Sequence, residues 1–277
     1  MTAQRTEAMA DGGAARLGPR PLPMHLAAAM LTWLGSRSAL PIWSSAWPAW
    51  RPELRATLTA LEAELAGIDR AAFAAAVDRE VRRRIDRLTA GVETYRRHPY
   101  RRDLSPPPVL WQEGTTRLLD YGSAAPTGAA APVLLFVPSL INRAYILDLM
   151  AGRSLLRYLA GRGLRTLLVD WDAPGEIERS FSLTEYIAGR LERALDTVLA
   201  GATGPVVIVG YCMGGLLALA LAQRRARDLA GLACLATPWD FHAERPAQAR
   251  LIGAAAVTLE PMLRGLGELP VDAIQAL

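Results

Sequence analysis

The sequence contains very little cysteine and has no long uninterrupted apolar run. Its 277 residues include two cysteines, Cys212 and Cys234, and three histidines. Two cysteines do not form the disulfide framework of a small secreted protein, and this usage fits a reducing compartment. We therefore expect a cytoplasmic protein that is long enough to fold around a buried apolar core.

The most apolar stretch is residues 206–222, VVIVGYCMGGLLALALA. It contains three glycines and is shorter than the ~20 residues that a helix needs to span a bilayer. The apolar segment MHLAAAMLTWLG follows a long charged stretch, and no small-x-small cleavage site comes after it. The sequence therefore predicts neither a transmembrane segment nor a secretory signal.

Several common ligand-binding patterns are also missing from the sequence. No GxGxxG or P-loop glycine pattern follows a predicted strand, and no spacing of residues is typical of metal ligands. The net charge is +4, and the basic residues are concentrated in the first hundred positions. No nucleic-acid-binding motif accompanies these charges, so we predict no nucleic-acid partner and no metal site.

The first hundred residues have helical character. Residues 1 to about 20 are small and polar and are expected to be disordered, whereas apolar residues recur at helical spacing from Pro52 to Arg97. RRDLSPPPV interrupts this pattern near residue 105. We predict a partly disordered, helical region over 1–105 and a second domain over 106–277. Four of the seven tryptophans lie in the first of these regions, and we expect them either to pack on the core or to form an exposed patch. They are Trp33, Trp43, Trp47 and Trp50.

After residue 105, strands alternate with helices. VLWQEGTTRLLDYG predicts two short strands around a glycine turn, and buried strands follow at 131–138, 164–171, GPVVIVG and LAGLACLAT. A helix over YILDLMAGRSLLRYLAGRG separates the first two buried strands, and Ser182 with Glu185 forms a capping box for the next helix. This alternation predicts a mostly parallel sheet covered on both faces.

Gly210-Tyr211-Cys212-Met213-Gly214 lies between a predicted buried strand and a predicted helix. This GxCxG sequence has the lipase-box pattern of the nucleophile elbow of α/β hydrolases, with cysteine in the place of serine. The helix N-terminus would favour a thiolate. The Met213 amide and the loop 139–143 would then form an oxyanion hole. A small buried cysteine in a tight turn remains the alternative, and Cys234, within a core strand, is expected to be inert.

The general acid and the general base are harder to identify in the sequence than the nucleophile. His242 is the only histidine after Cys212, and it comes too early for the base of this fold, which follows the last strand. Asp240 is a weak candidate for the acid and is otherwise expected to cap the next element. Because residues 263–277 have helical character, we expect that the sequence lacks the last strands and two of three catalytic residues.

Five motifs, including the one around Cys212, occur in an order and spacing similar to those of the polyhydroxyalkanoate synthases: VPSLINRAYILDL, LLVDWDAPG, EYIAG, GYCMGG and TPWDF. The resemblance covers roughly residues 90–245. It implies an α/β-hydrolase-type sheet, here C-terminally incomplete and preceded by a helical region. It also implies that Cys212 is the nucleophile and that the oxyanion donors are the backbone amides of Met213, Leu140 and Ile141.

The resemblance further implies an acyltransferase that polymerises (R)-3-hydroxyacyl-CoA into polyhydroxyalkanoate and releases CoA. It implies a CoA thioester as substrate and no cofactor, a homodimer or a partner subunit, and a place at the surface of polymer granules. Two alternatives stay open. One is a cysteine-dependent hydrolase of the dienelactone hydrolase type, and the other is a truncated, non-catalytic granule-associated protein.

Overall fold

The computed structural model describes residues 19–39, 52–122, 131–240, 242–243, 246–267 and 269–275. The chain divides into two compact units, Met1–Tyr100 with Pro270–Ala276, and Arg101–Leu269. The predicted domains 1–105 and 106–277 stay a prediction. Residues 1–18 of the segment expected to be disordered lie outside the described residues. Trp43, Trp47 and Trp50 also lie outside them.

The first unit is helical, as the apolar spacing predicted. Its helices are α1 (Leu22–Ala39), α2 (Pro52–Leu65) and α3 (Arg70–Arg97), and α1 packs against α3. The predicted helix over 52–97 is divided in two because α3 has its own N-cap. There the Asp69 carboxylate accepts a hydrogen bond of 2.9 Å from the Ala71 amide.

The second unit begins with a hairpin of β1 (Val109–Glu113) and β2 (Thr116–Asp120), which turns at Gly114 with φ +57°. The buried strand β3 (Val133–Val137) follows. The helix predicted after β3 is wrong for most of its length. The chain instead forms a 3-10 turn (Ala144–Leu147), a small hairpin of β4 (Asp148–Met150) and β5 (Arg153–Ser154), and only then α4 (Leu155–Ala160).

Two local features account for this difference. Gly152 has φ +72°, a left-handed conformation that turns the hairpin and that glycine adopts without strain. Ser154 then begins α4, because its hydroxyl accepts a hydrogen bond of 3.1 Å from the Arg157 amide. Helical periodicity in the sequence could not reveal either feature.

The next strand is β6 (Arg165–Asp170), followed by a 3-10 turn (Glu178–Ser180) and a π-helical segment (Glu185–Leu191) that continues into α5 (Glu192–Gly201). The capping box is confirmed. The Glu185 carboxylate accepts a hydrogen bond of 2.7 Å from the Ser182 amide, and the Ser182 hydroxyl accepts one from the Thr184 amide.

The remaining elements of the sheet are β7 (Val206–Tyr211), α6 (Gly214–Arg224) and β8 (Gly231–Leu235). The strand order is β1-β2-β6-β3-β7-β8, with the last four strands parallel to one another. The buried cluster on one face includes residues of α5 and α6, and the cluster on the other face includes residues of α4. The predicted mostly parallel sheet of the α/β-hydrolase type, covered on both faces, is confirmed.

The expectation that Cys234 lies in the core is wrong. Cys234 and Leu235 are exposed, because β8 is the edge strand of the described sheet. Helices α7 (Pro246–Val257) and α8 (Glu260–Leu266) follow in the second unit, and α9 (Val271–Gln275) belongs to the first. Within the described ranges, no helix has both the length and the apolarity needed to cross a membrane.

Candidate active site

The carboxyl ends of four parallel strands meet at one edge of the sheet. The register pairs Val137 of β3 with Gly210 of β7, and Gly210 with Cys234 of β8, so these strands end side by side. In open parallel sheets this edge is where ligands bind, since the loops that leave the strands converge there. Cys212 lies at this edge, directly after β7.

Cys212 has a left-handed backbone with φ +54°, although it is not a glycine. A residue with a Cβ atom in this conformation costs about 1–2 kcal/mol, and such residues persist where surrounding contacts hold them. Two hydrogen bonds do so here. The Cys212 amide donates to the Leu235 carbonyl at 2.9 Å, and the Gly215 amide donates to the Cys212 carbonyl at 2.9 Å. The side chain itself is half-buried.

The turn at Cys212 has room only for glycine at three neighbouring positions. A Cβ atom on Gly210 would lie 2.3 Å from the Gly215 Cα, and one on Gly214 would lie 2.1 Å from the Val137 carbonyl oxygen. A Cβ atom on Gly215, which the sequence reasoning did not single out, would lie 1.9 Å from the Thr237 hydroxyl oxygen. The first turn of α6 therefore packs directly on the ends of the strands.

The predicted oxyanion donors lie on both sides of this contact. Met213 precedes α6, and the first amides of a helix have no acceptor within the helix. On the other side, the loop after β3 begins at Pro138, whose carbonyl oxygen would lie 2.5 Å from a Cβ atom on Gly214. In this loop the Ile141 amide donates a hydrogen bond of 3.0 Å to the Ser139 hydroxyl, so this predicted donor already has an acceptor.

The candidate acid Asp240 lies in the loop that follows β8. It is exposed, and its carboxylate accepts a hydrogen bond of 2.8 Å from the backbone amide of His242. This local turn agrees with the alternative expectation that Asp240 caps the segment after it. The Asp240 and His242 side chains are both on the surface.

The sequence reasoning missed two neighbouring residues at the end of β6. The Trp171 indole N–H donates a hydrogen bond of 3.1 Å to the Pro138 carbonyl, and the Asp172 carboxylate forms an ion pair of 2.6 Å with Arg143. Both bonds reach the loop that follows β3. Two signals were available. The residues lie at the carboxyl end of the strand predicted over 164–171, which is the ligand-binding edge of a parallel sheet, and both belong to the motif LLVDWDAPG.

The π-helical segment contributes a side chain to the same region. The ring of Tyr186 contacts that of Trp171 edge to face, with centroids 5.6 Å apart. Burial, and then the negative charge of Glu178, raise the pKa of Tyr186 above its ordinary value, so its hydroxyl stays protonated at neutral pH. Tyr186 is therefore a neutral, half-buried support for Trp171.

These features define the class of the protein. A parallel sheet with a strained residue between glycines, at the turn from strand to helix, has the pattern of the nucleophile elbow of α/β hydrolases. A family model for the α/β hydrolase fold matches residues 132–252. A second model, described as the N-terminus of poly-beta-hydroxybutyrate polymerase (PhaC), matches residues 103–159.

Curated relatives with similar sequences are poly(3-hydroxyalkanoate) polymerases. The poly(3-hydroxyalkanoate) polymerase subunit PhaC of a Synechocystis strain is 30% identical over 175 residues, which cover 61% of this chain and 46% of that protein. The corresponding subunit of Haloferax mediterranei is 33% identical over 129 residues, covering 45% of this chain and 26% of that protein. The chain is therefore similar to polyhydroxyalkanoate synthases, as its motifs predicted, and it spans less than half the length of these relatives.

Among solved structures, a soluble variant of a monoglyceride lipase from Saccharomyces cerevisiae, in complex with a substrate analog, aligns with a TM-score of 0.44. It is 15% identical, and the alignment covers 58% of this chain and 55% of that one.

Proposed function

We propose that this protein is an acyltransferase that polymerises (R)-3-hydroxyacyl-CoA into polyhydroxyalkanoate, with Cys212 as the nucleophile. One observation carries the proposal: Cys212 is held at φ +54° between glycines that pack without side chains at the carboxyl edge of the sheet. The names of the relatives, poly(3-hydroxyalkanoate) polymerases, support the choice of substrate.

The proposed reaction has two transfers. The Cys212 thiolate attacks the thioester carbonyl, a bond forms between its sulfur and the acyl carbon, and the bond from that carbon to the CoA sulfur breaks. CoA leaves as a thiolate and takes up a proton. Exchange of one thioester for another keeps the acyl group activated, so the hydroxyl of a monomer or of the growing chain can attack it. That second attack frees the Cys212 thiolate, and the hydroxyl proton passes to a base.

The negative charge that develops on the acyl oxygen needs hydrogen-bond donors in both transfers. In the proposal these are the backbone amides of Met213 and of Leu140 or Ile141. Such donors act when they lie 2.7–3.1 Å from the oxygen, and the loss of one lowers kcat by about 10²–10³. Because the Ile141 amide already donates to Ser139, Leu140 is the donor that requires less rearrangement of the loop.

The surface around the elbow supports a hydrophobic substrate. Loops that leave the carboxyl ends of β3, β6 and β8 carry exposed apolar side chains, and exposed apolar surface of this kind marks sites of interaction. A polyester chain or a polymer granule would have the matching chemistry. A homodimer or a partner subunit also remains part of the proposal, as does a cytoplasmic location. The exposed side chains on these loops are Ile141, Tyr145, Ile177, Leu183 and Trp239.

The proposal is tested by trapping the acyl-enzyme. The protein, expressed from its natural reading frame, is mixed with 3-hydroxybutyryl-CoA, and free CoA and intact mass are measured together. We expect a covalent 3-hydroxybutyryl adduct on Cys212, release of CoA and, with excess substrate, an insoluble polyester. The Cys212→Ala variant should show none of these.

Other outcomes would overturn the proposal in distinct ways. Free 3-hydroxybutyrate in place of polymer would indicate the cysteine-dependent hydrolase. No CoA release by wild-type protein would favour the non-catalytic granule-associated protein. An adduct that persists in Cys212→Ala would show that another residue is the nucleophile.

A further inference from the structure

The loop Pro138–Arg143, which carries the second proposed oxyanion donor, is fastened at both of its ends by two consecutive residues. At its start, the Pro138 carbonyl accepts the hydrogen bond of 3.1 Å from the Trp171 indole. At its end, Arg143 pairs with the Asp172 carboxylate at 2.6 Å. A single strand end, that of β6, therefore holds the whole loop.

Trp171 is itself held in one place. Its side chain is 6% exposed, and the ring of Tyr186 contacts it edge to face. The carbonyl that it binds is also buried and lies against Gly214 of the elbow, where even a Cβ atom would be too close. The orientation of the Pro138–Ser139 peptide is therefore fixed between the indole and the first turn of α6.

Asp172 is fixed by its backbone and by several hydrogen bonds. It adopts φ +54°, and its amide donates a hydrogen bond of 3.2 Å to the Asp170 carboxylate. Its own carboxylate accepts from the Ala173 amide at 2.8 Å and lies 3.7 Å from the Arg117 guanidinium. These contacts orient the carboxylate before Arg143 binds to it.

The middle of the loop has an internal restraint as well. The hydroxyl of Ser139, which is 5% exposed, accepts the hydrogen bond from the Ile141 amide. With the start, the middle and the end of the loop each hydrogen-bonded, the amide of Leu140 has little freedom to turn. A donor held in this way costs no reorganisation when charge develops on a substrate.

We propose that Trp171 and Asp172 are positioning residues, which orient the loop Pro138–Arg143 so that its amide completes the oxyanion hole opposite Met213. The inference rests on the proposed function. Neither residue touches the reacting atoms. Each acts through the loop, Trp171 through the Pro138 carbonyl and Asp172 through Arg143.

Arg143→Ala is the sharpest test, because the Arg143 side chain is half-exposed and its removal leaves the core intact. The protein from its natural reading frame is mixed in excess with 3-hydroxybutyryl-CoA, and the single-turnover rate of CoA release is measured. We expect the saturating rate to fall about five- to tenfold, the size expected from one lost hydrogen-bonded contact. The protein concentration at half-saturation should stay unchanged.

Three further variants separate positioning from structure. Arg143→Lys keeps the positive charge and should restore most of the rate. Trp171→Phe removes the indole donor and keeps a smaller aromatic ring against Tyr186, so it should lower the saturating rate as Arg143→Ala does. Arg227→Ala, an exposed arginine at the opposite edge of the sheet, is the matched control and should behave as wild type.

Amide hydrogen exchange gives a readout that does not depend on turnover. We expect faster exchange in peptides covering 138–143 in Arg143→Ala and Trp171→Phe, with no change in peptides covering β7. Cys212 alkylation by iodoacetamide, measured in a Cys234→Ser background, should be unchanged in both variants.

The failures are distinguishable. If wild-type protein forms no adduct on Cys212, the proposed function fails and this inference fails with it. If wild type forms the adduct and Arg143→Ala and Trp171→Phe acylate at the wild-type rate, the positioning role alone is wrong. Slower alkylation and slower acylation together, with a lower melting temperature, would assign the two residues a merely structural role.

Discussion

At the scale of single residues, the two cysteines differ in backbone conformation and in surroundings. Cys212 is half-buried and has a left-handed backbone fixed by hydrogen bonds to Leu235 and Gly215. Cys234 is exposed on the edge strand β8. Only Cys212 combines a strained turn with a position at the N-terminal end of a helix. The two thiols therefore have different expected roles.

Cys212→Ser should keep the fold and lose most of the polymerisation activity. The hydroxyl is nearly isosteric with the thiol, but a helix N-terminus does not ionise it, and the acyl group would become a less activated oxygen ester. CoA release from 3-hydroxybutyryl-CoA and the melting temperature check this expectation. Turnover like that of wild type would remove Cys212 from the nucleophile role.

Cys234→Ser is the matched control. Because Cys234 is exposed, the free energy of unfolding should change by no more than about 0.5 kcal/mol, and CoA release should be unaffected. A folded but inactive Cys234→Ser protein would indicate that the nucleophile had been assigned to the wrong cysteine.

At the scale of elements, α6 depends on glycine for its contact with the strand ends. The Val137 and Pro138 carbonyls approach Gly214 so closely that no side chain fits, and Thr237 approaches Gly215 in the same way. The sequence predicted the glycine pattern around Cys212, because the motif itself requires close packing. It did not predict the contact of Thr237 with Gly215, which joins residues from different elements, or the hairpin β4–β5, whose turn at Gly152 leaves no mark on helical periodicity.

Gly214→Ala should lower the free energy of unfolding by about 2–3 kcal/mol. The new Cβ atom would lie 2.1 Å from the Val137 carbonyl oxygen, so α6 or the end of β3 must move. Denaturant unfolding measures the change. Gly253→Ala in α7, where nothing lies within 4 Å of the new Cβ atom, should instead be neutral or stabilise by up to about 1 kcal/mol. Equal effects at both positions would contradict the packing argument.

At the scale of the whole second unit, Asp148 connects the segment before the sheet to α4. Its fully buried carboxylate binds Arg102 at 2.6 Å and Arg157 at 2.8 Å, and Arg157 also donates to the Ser105 carbonyl at 2.6 Å. Burial raises the pKa of Asp148, but hydrogen bonds from Arg157 and Ser154 and the charges of both arginines outweigh it, so the pKa lies below its ordinary value.

Asp148→Asn should therefore destabilise the protein at neutral pH by about 2–3 kcal/mol, because it leaves both arginines without their anion. A carboxyl group with a lowered pKa stabilises the fold above its ordinary value of 3.8 and stops doing so as pH falls through the folded-state pKa. The difference between wild type and variant should thus stay constant down to about pH 4 and shrink below it.

Denaturant unfolding across this pH range tests the expectation, with the exposed Asp103→Asn as control and an expected change within about 0.5 kcal/mol. A difference between wild type and Asp148→Asn that grows as pH falls would show that Asp148 is protonated in the native state.

The sequence by itself determined the alternation of strands and helices, the capping box at Ser182 and the glycine pattern around Cys212. Each of these depends on local periodicity or on residues within a few positions of one another, so each can be predicted from the sequence. The tertiary structure decided that Cys234 is exposed, that a hairpin replaces the first half of a predicted helix, and that Trp171 and Asp172 fasten the loop after β3. The exposure of Cys234 and the contacts of Trp171 and Asp172 depend on which strand lies beside which. The residues that these contacts join are 33 and 29 positions apart in the chain and meet only once the sheet has formed.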